Sequence, residues 1–172
     1  YGTLPNGKKI YADNQATSVK KATQFAIWAD PNPVPPEWSK TARVYQIFVD
    51  RFNRGDNKPW LQTENIHGIF GGDLRGITEK LDTIHDLGFN TLWLTPIFKT
   101  PSSHGYDTTD YETIDPRFGT KDDLKELIDT AHAKGMRVLL DFVANHASNR
   151  HPIFQRALAD SQAPERDWFR WK

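Results

Sequence analysis

Three clusters of polar and aromatic side chains stand out in this chain of 172 residues. They are Asp50-Arg51-Phe52-Asn53-Arg54-Gly55-Asp56, His104-Gly105-Tyr106-Asp107-Thr108-Thr109-Asp110-Tyr111 and Asp141-Phe142-Val143-Ala144-Asn145-His146. Their carboxylates can hold a hard cation, their other polar groups can bond ligand hydroxyls, and their rings can stack on a sugar or another flat ligand. Any one cluster alone reads as a solvated loop. Each follows a run with strand character, however, and three such clusters at one end of a sheet read better as a site.

Several common chemistries are excluded. There is no cysteine, so no thiolate nucleophile, thiolate zinc site or disulfide framework is available. G-x-G-x-x-G, H-E-x-x-H and the EF-hand loop are absent. Gly2 to Lys8 has the G-x-x-x-x-G-K spacing, but Lys9 stands where Ser or Thr is required and no helix pattern follows. His146 and His151 form a potential metal pair without a third ligand. Lys and Arg number 22 against 22 Asp and Glu, with no long block of one sign, which argues against a nucleic-acid partner. No stretch approaches the roughly 20 apolar residues of a membrane span, so no membrane partner is expected.

The elements that must carry the clusters follow from periodicity. Val44-Tyr45-Gln46-Ile47-Phe48-Val49 is β-branched and aromatic, as a short buried strand would be. Ile77, Leu81, Ile84 and Leu87 recur at helical spacing, with Gly88 at the position of a C-cap glycine. Phe89 to Leu94 is strand-like and stops before Pro96. Leu124, Leu127, Ile128 and Ala131 predict a second helix, capped by Thr120 with Asp123 and ended by Gly135. Arg137 to Val143 predicts a third strand. This alternation implies a parallel α/β sheet with helical crossovers. Polar loops after each strand and glycine-only returns favour a (β/α)₈ barrel with its chemistry at the strand C-termini. A doubly wound sheet would show the same alternation. Three strands leave two open edges, and a barrel needs roughly 250 residues, so the chain is expected to be part of something larger.

Ahead of these units, residues 1–30 read as short strands with a turn at Pro5-Asn6-Gly7-Lys8 and a strand at Ala22–Trp28. Pro31-Asn32-Pro33-Val34-Pro35-Pro36 forms a stiff linker. An apolar share of 37% with 26% charged residues fits a globular protein with a real core. Its 10 Phe, 6 Trp and 5 Tyr either pack that core or line a stacking cleft.

Asp141-Phe142-Val143-Ala144-Asn145-His146 resembles the D-x-x-x-N-H signature on the third barrel strand of the α-amylase family of glycoside hydrolases. Val44 to Phe52, Gly71-Gly72-Asp73-Leu74-Arg75-Gly76, and Gly105-Tyr106-Asp107 through Asp115-Pro116-Arg117-Phe118-Gly119 are also similar to that family, in order and at its spacing, from about Glu37 to Lys172. The fold implied is the first three βα units of a TIM (β/α)₈ barrel, preceded by the tail of an N-terminal β-sandwich. The divisions are 1–30 for the sandwich tail, 31–40 for the linker, 41–146 for barrel strands one to three, and 147–172 for the start of an insertion.

The resemblance implies substrate contacts for His146, which donates to the sugar before the scissile bond, for Tyr106, which stacks on that ring, and for Asp107. Asp141 supports the site by holding an arginine and the nucleophile carboxylate, and Asn145 matches a family calcium ligand. The family's retaining chemistry needs two carboxyl groups about 5–5.5 Å apart. Neither the G-x-R-x-D nucleophile motif nor the acid glutamate occurs here, since Gly135-Met136-Arg137 continues into Val138 and Leu139. The segment alone is expected to be inactive, with both catalytic groups after Lys172.

Relatives with an N-terminal sandwich suggest calcium on Asp56, Asp73 and the backbone of Gly71, with Asn53 or Asn57 nearby; Arg54 departs from that pattern, where Asn or Asp is usual. No organic cofactor is implied. Pro35-Pro36-Glu37-Trp38 after a sandwich tail is similar to the neopullulanase, cyclomaltodextrinase and maltogenic amylase branch, which implies α-glucan oligosaccharide substrates and a homodimer through the N-terminal domain. Starch, maltodextrins, cyclodextrins and pullulan all remain open as substrates. The alternative is a non-catalytic relative that binds or docks a partner; retention of Tyr106, Asp141 and His146 together argues against it.

Overall fold

The computed structural model describes residues 2–3, 9–10 and 34–171. The expected turn at Pro5–Lys8 and the strand at Ala22–Trp28 lie outside them. The chain divides into two compact units, Tyr1–Lys40 and Thr41–Lys172. In the first, β1 (Gly2–Thr3) and β2 (Lys9–Ile10) pair antiparallel. Pro35 and Pro36 lead into a 3₁₀ turn at Glu37–Thr41, closed by the Ser39 N–H on the Pro36 carbonyl at 2.9 Å.

The second unit is built on a parallel sheet. Its strands are β3 (Val44–Ile47), β4 (Thr91–Leu94) and β7 (Arg137–Leu140), in the order β3-β4-β7. Between them run the short helices α1 (Val49–Phe52), α2 (Leu74–Glu79) and α3 (Leu81–Asp86), a hairpin of β5 (Phe98–Lys99) and β6 (Asp110–Ile114), and α4 (Lys121–Ala133). Helix α5 (Pro152–Ala159) and a 3₁₀ turn at Pro164–Trp168 follow β7.

One face of the sheet is covered. Leu74, Ile77, Leu81 and Ile84 from α2 and α3 and Leu127 and Ala131 from α4 pack with Ile47, Leu92 and Leu94 in one core. Burying a large aliphatic side chain is worth about 1.5–3 kcal/mol, so this row holds the helices on the sheet. The other face carries the row Gln46, Trp93 and Leu139, all exposed and in register across the three strands.

Three local differences from the sequence reading have physical reasons. The first strand ends at Ile47 because the Val49 N–H turns to the Thr95 hydroxyl at 3.2 Å, starting α1. The helix expected through Ile77 and Leu87 is broken at Lys80, whose N–H closes on the Ile77 carbonyl at 3.0 Å in a tighter turn. The third strand ends at Leu140; the Asp141 N–H still reaches the Leu94 carbonyl at 3.1 Å, and then the chain turns with the Ala144 N–H on the Phe142 carbonyl. Helix α4 has the expected start: Thr120 and Asp123 form a reciprocal capping box. Gly88 and Gly135 take φ values of +91° and +70° at the returns to β4 and β7.

Candidate functional site

The sheet delivers its polar clusters to one end. Asp50 follows β3, Asp141 follows β7, and the loop that carries Tyr106 runs between β5 and β6 beyond the end of β4. That loop makes a turn at Gly105, with φ +83°, where a Cβ would collide with the Pro96 carbonyl at the end of β4. Only glycine combines this backbone angle with so close an approach.

Tyr106, Asp141 and His146 come together. The Tyr106 hydroxyl donates to Asp141 Oδ2 at 2.7 Å. That bond, with burial and the carboxylate's charge behind it, pushes the phenol up to about 12. The ring therefore stays protonated and neutral at ordinary pH. His146 Nε2 lies 2.9 Å from the Tyr106 carbonyl. A carbonyl only accepts, so Nε2 carries the proton, and the Asn145 amide donates to Nδ1 at 3.4 Å. His146 is exposed, yet its Nε2 proton is used within the protein; donation to a sugar requires the ring to exchange that carbonyl for a ligand hydroxyl. No other described group bonds the Asp141 carboxylate.

Asp107 is held rather than offered. Its Oδ1 accepts the Thr100 hydroxyl at 2.6 Å and the Ser102 hydroxyl. Burial raises its pKa, but the two hydroxyl donors, together with its own backbone N–H and the nearby His104, outweigh this and hold it below the usual carboxylate range.

Three residues without an assigned role in the sequence support this cluster. Asp115, almost fully buried, takes a bidentate Arg117: Nε on Oδ1 at 2.8 Å and Nη2 on Oδ2 at 2.7 Å. Arg117 Nη2 also donates to the carbonyls of Thr100 and Ser102 at 2.6 and 3.0 Å, which fixes the start of the Tyr106 loop. Tyr111, on β6, places its hydroxyl 2.9 Å from the Val143 carbonyl and 2.8 Å from that of His146. All three stand in motifs already singled out, but only the tertiary arrangement shows what they hold.

In this structure the carboxylates of the Asp56–Asp73 cluster are engaged by groups of the chain itself. Both Asp56 oxygens face cations of the chain, Arg75 Nη1 at 3.2 and 3.5 Å and Lys58 Nζ at 3.1 Å. Asp73 Oδ1 accepts the N–H groups of Gly55 at 3.0 Å and Gly76 at 2.7 Å, as a cap of α2. Asn53 turns its amide donor to the Gly76 carbonyl at 3.0 Å. The Arg54 guanidinium lies against Gly71 and donates to the Pro59 carbonyl. Among the described residues, no group of three His, Cys, Asp or Glu could hold a metal. Asn145 faces His146. Of the terminal tryptophans, Trp171 packs in parallel on Phe154 at 5.7 Å under Arg166, and Trp168 is exposed.

Residues 46–172 match the family model described as "Alpha amylase, catalytic domain". Alpha-amylase 2 of Dictyoglomus thermophilum is 50% identical over 137 residues, 80% of this chain and 24% of that protein. Neopullulanase 2 of Thermoactinomyces vulgaris is 37% identical over 182 residues, 97% of this chain and 31% of that protein. Among solved structures, the cyclic alpha-maltosyl-(1→6)-maltose hydrolase of Arthrobacter globiformis superposes with a TM-score of 0.71 at 39% identity, covering 78% of this chain and 32% of that one. The Geobacillus thermoleovorans alpha-amylase, complexed with acarbose, gives 0.67 at 45% identity, with 76% and 28% covered. The chain thus spans about a quarter to a third of the length of these relatives. With its parallel strands, glycine returns and Tyr106–Asp141–His146 cluster in the matched region, it belongs to the α-amylase family of glycoside hydrolases and shares that family's TIM-barrel fold.

Proposed function

We propose that these residues form part of the sugar platform of a longer retaining glycoside hydrolase acting on α-glucans, whose nucleophile and acid lie outside them. The observation that carries this is the Tyr106–Asp141–His146 network at the C-terminal ends of the strands, where a barrel places its chemistry. Relatives named cyclomaltodextrinase, maltogenic amylase and neopullulanase support the substrate class. The open row Gln46, Trp93 and Leu139 supports further strands closing over it. Residues 1–30 are assigned to the tail of a β-sandwich, 31–40 to the linker and 147–172 to the start of an insertion after the third strand.

Tyr106 contributes a neutral ring on which the sugar stacks, and its hydroxyl fixes Asp141. That leaves Asp141 Oδ1 to orient a neighbouring side chain. His146 brings an N–H donor beside the stacked ring and gains a ligand hydroxyl as the sugar displaces the Tyr106 carbonyl. These groups hold the sugar while positive charge develops in the transition state; cleavage itself needs a carboxyl pair about 5–5.5 Å apart.

The test is the full-length protein with maltohexaose, cyclodextrin and pullulan, with the anomeric configuration of the first product followed by NMR. Release with retention, and a fall in kcat/KM of at least about 100-fold in His146→Ala, are expected; an oriented donor acting on the transition state contributes on that scale. A protein inert toward all these glucans would overturn the reading in favour of a binding or docking role.

A further inference from the structure

His104 is exposed at the tip of the Tyr106 loop and belongs to no core, yet it is tied to the residue that presents the platform. The Tyr106 N–H donates to His104 Nδ1 at 3.1 Å, and the two rings lie 26° from parallel with centroids 6.0 Å apart. Ser102 Oγ is 3.2 Å from the same Nδ1 and accepts the Gly105 N–H at 3.2 Å.

Proton accounting fixes the roles. The Asp107 carboxylate can only accept, so the single hydroxyl proton of Ser102 goes to Asp107 Oδ1. Ser102 then has no proton for His104. The Tyr106 amide can only donate, so Nδ1 must present its lone pair to it, and the imidazole is the neutral form with its proton on Nε2. The Nδ1 lone pair therefore serves the Tyr106 amide. Ser102 itself donates to Asp107, the second candidate sugar contact of the loop, and accepts the Gly105 N–H, so it ties Asp107 to the backbone just before Tyr106.

We propose that His104 is a positioning residue for the platform: by accepting the Tyr106 amide and backing its ring, it sets the angle at which the Tyr106 ring meets a sugar and reaches Asp141. The proposal rests on the sugar-platform reading for its functional consequence. The contact itself can be measured without it.

The geometry supplies a discriminating variant. Nδ1 of His104 reaches the N–H two residues ahead, the same span that an asparagine Oδ1 closes in an Asx turn. His104→Asn keeps the acceptor and loses the ring, and His104→Ala loses both. In the full-length protein, exchange of the Tyr106 amide, followed by NMR, is expected to quicken about tenfold in His104→Ala and to recover in His104→Asn. Steady-state kinetics on maltohexaose should fall about 5- to 10-fold in kcat/KM for His104→Ala, the scale of one lost hydrogen bond, with partial recovery in His104→Asn. The melting temperature should hold in both, because the side chain is exposed.

An unprotected Tyr106 amide in the wild type, or a His104→Asn no better than His104→Ala, would overturn the contact. A deprotected amide with unchanged kcat/KM in an active enzyme would overturn the positioning role. Wild-type inactivity on every glucan would instead remove the platform reading, with the exchange result still deciding the contact.

Discussion

Arg117 is the side chain whose removal should matter most to the loop. Its guanidinium forms a fork on Asp115 and reaches two carbonyls at the loop's start. Breaking a buried pair by removing one partner costs about 3–5 kcal/mol. Here the Arg117 side chain is 29% exposed, and Asp115 would keep the N–H donors of Thr100 at 3.1 Å and residue 117 at 3.0 Å. Arg117→Ala is therefore expected to cost about 2–3 kcal/mol at pH 7, below that range because of this residual solvation. The penalty should depend on pH. Burial raises the pKa of Asp115, and Arg117 with the two backbone donors more than offsets this, holding it below the usual carboxylate range. A folded pKa below the unfolded value of about 3.9 contributes stability that is present above that value and is lost as pH falls through the folded pKa. Without the guanidinium, only the two backbone donors oppose burial, and the folded pKa of Asp115 rises. The folded variant then takes up a proton at higher pH than wild type, and its deficit against wild type narrows below about pH 5. Urea unfolding of the full-length wild type, Arg117→Ala, Asp115→Asn and the double variant, at pH 7 and pH 4.5, measures both effects. A cost under about 0.5 kcal/mol, the scale of an exposed pair, would refute the reasoning. So would a deficit that is the same at both pH values.

Two further outcomes follow from the same structure. Because Arg75, Lys58 and backbone N–H groups already occupy Asp56 and Asp73, millimolar CaCl₂ and EDTA should give the same melting temperature; a rise with calcium would mean that those oxygens are released to the metal. Gly105→Ala places a Cβ against the Pro96 carbonyl at φ +83° and should cost at least about 2 kcal/mol of stability in thermal or urea unfolding; a neutral substitution would mean that the loop can shift off β4.

The parallel sheet was legible because its strands are short runs rich in aliphatic and aromatic residues and its helices repeat at 3.6 residues, and the Thr120–Asp123 cap was legible because both partners lie within one turn. The hairpin of β5 and β6 was not. Phe98–Lys99 is too short for alternation to register, and its partner lies beyond a ten-residue loop. The break at Lys80 also left no mark, since Ile77, Leu81 and Ile84 reach the same core on either side of it. For the site, the signature residues were legible as types in motifs. Their supports were not: Thr100, Ser102, Arg117 and Tyr111 act through backbone carbonyls and hydroxyl chains that no spacing encodes.

Those supports show how the platform is joined. Tyr106 belongs to the hairpin loop, whereas Asp141 and His146 hang from the end of β7, which is an edge of the described sheet. Two ties cross between the halves besides the platform's own bonds: the Tyr111 hydroxyl on the carbonyls of Val143 and His146, and the Ser148 N–H on the Thr108 carbonyl at 3.0 Å. The second is a backbone bond that no side-chain change removes, so it fixes the separation of the two segments. The first sets the orientation of the His146 backbone, because one phenol spans two carbonyls three residues apart. Tyr111→Phe keeps the packing on Phe142 at 5.7 Å and deletes only the hydroxyl. It should leave stability within about 1 kcal/mol, the worth of an ordinary hydrogen bond, while lowering kcat/KM through the placement of His146. Equal losses in Tyr111→Phe, His146→Ala and the double variant would place the two residues on one route to the sugar; additive losses would separate them and refute the tie.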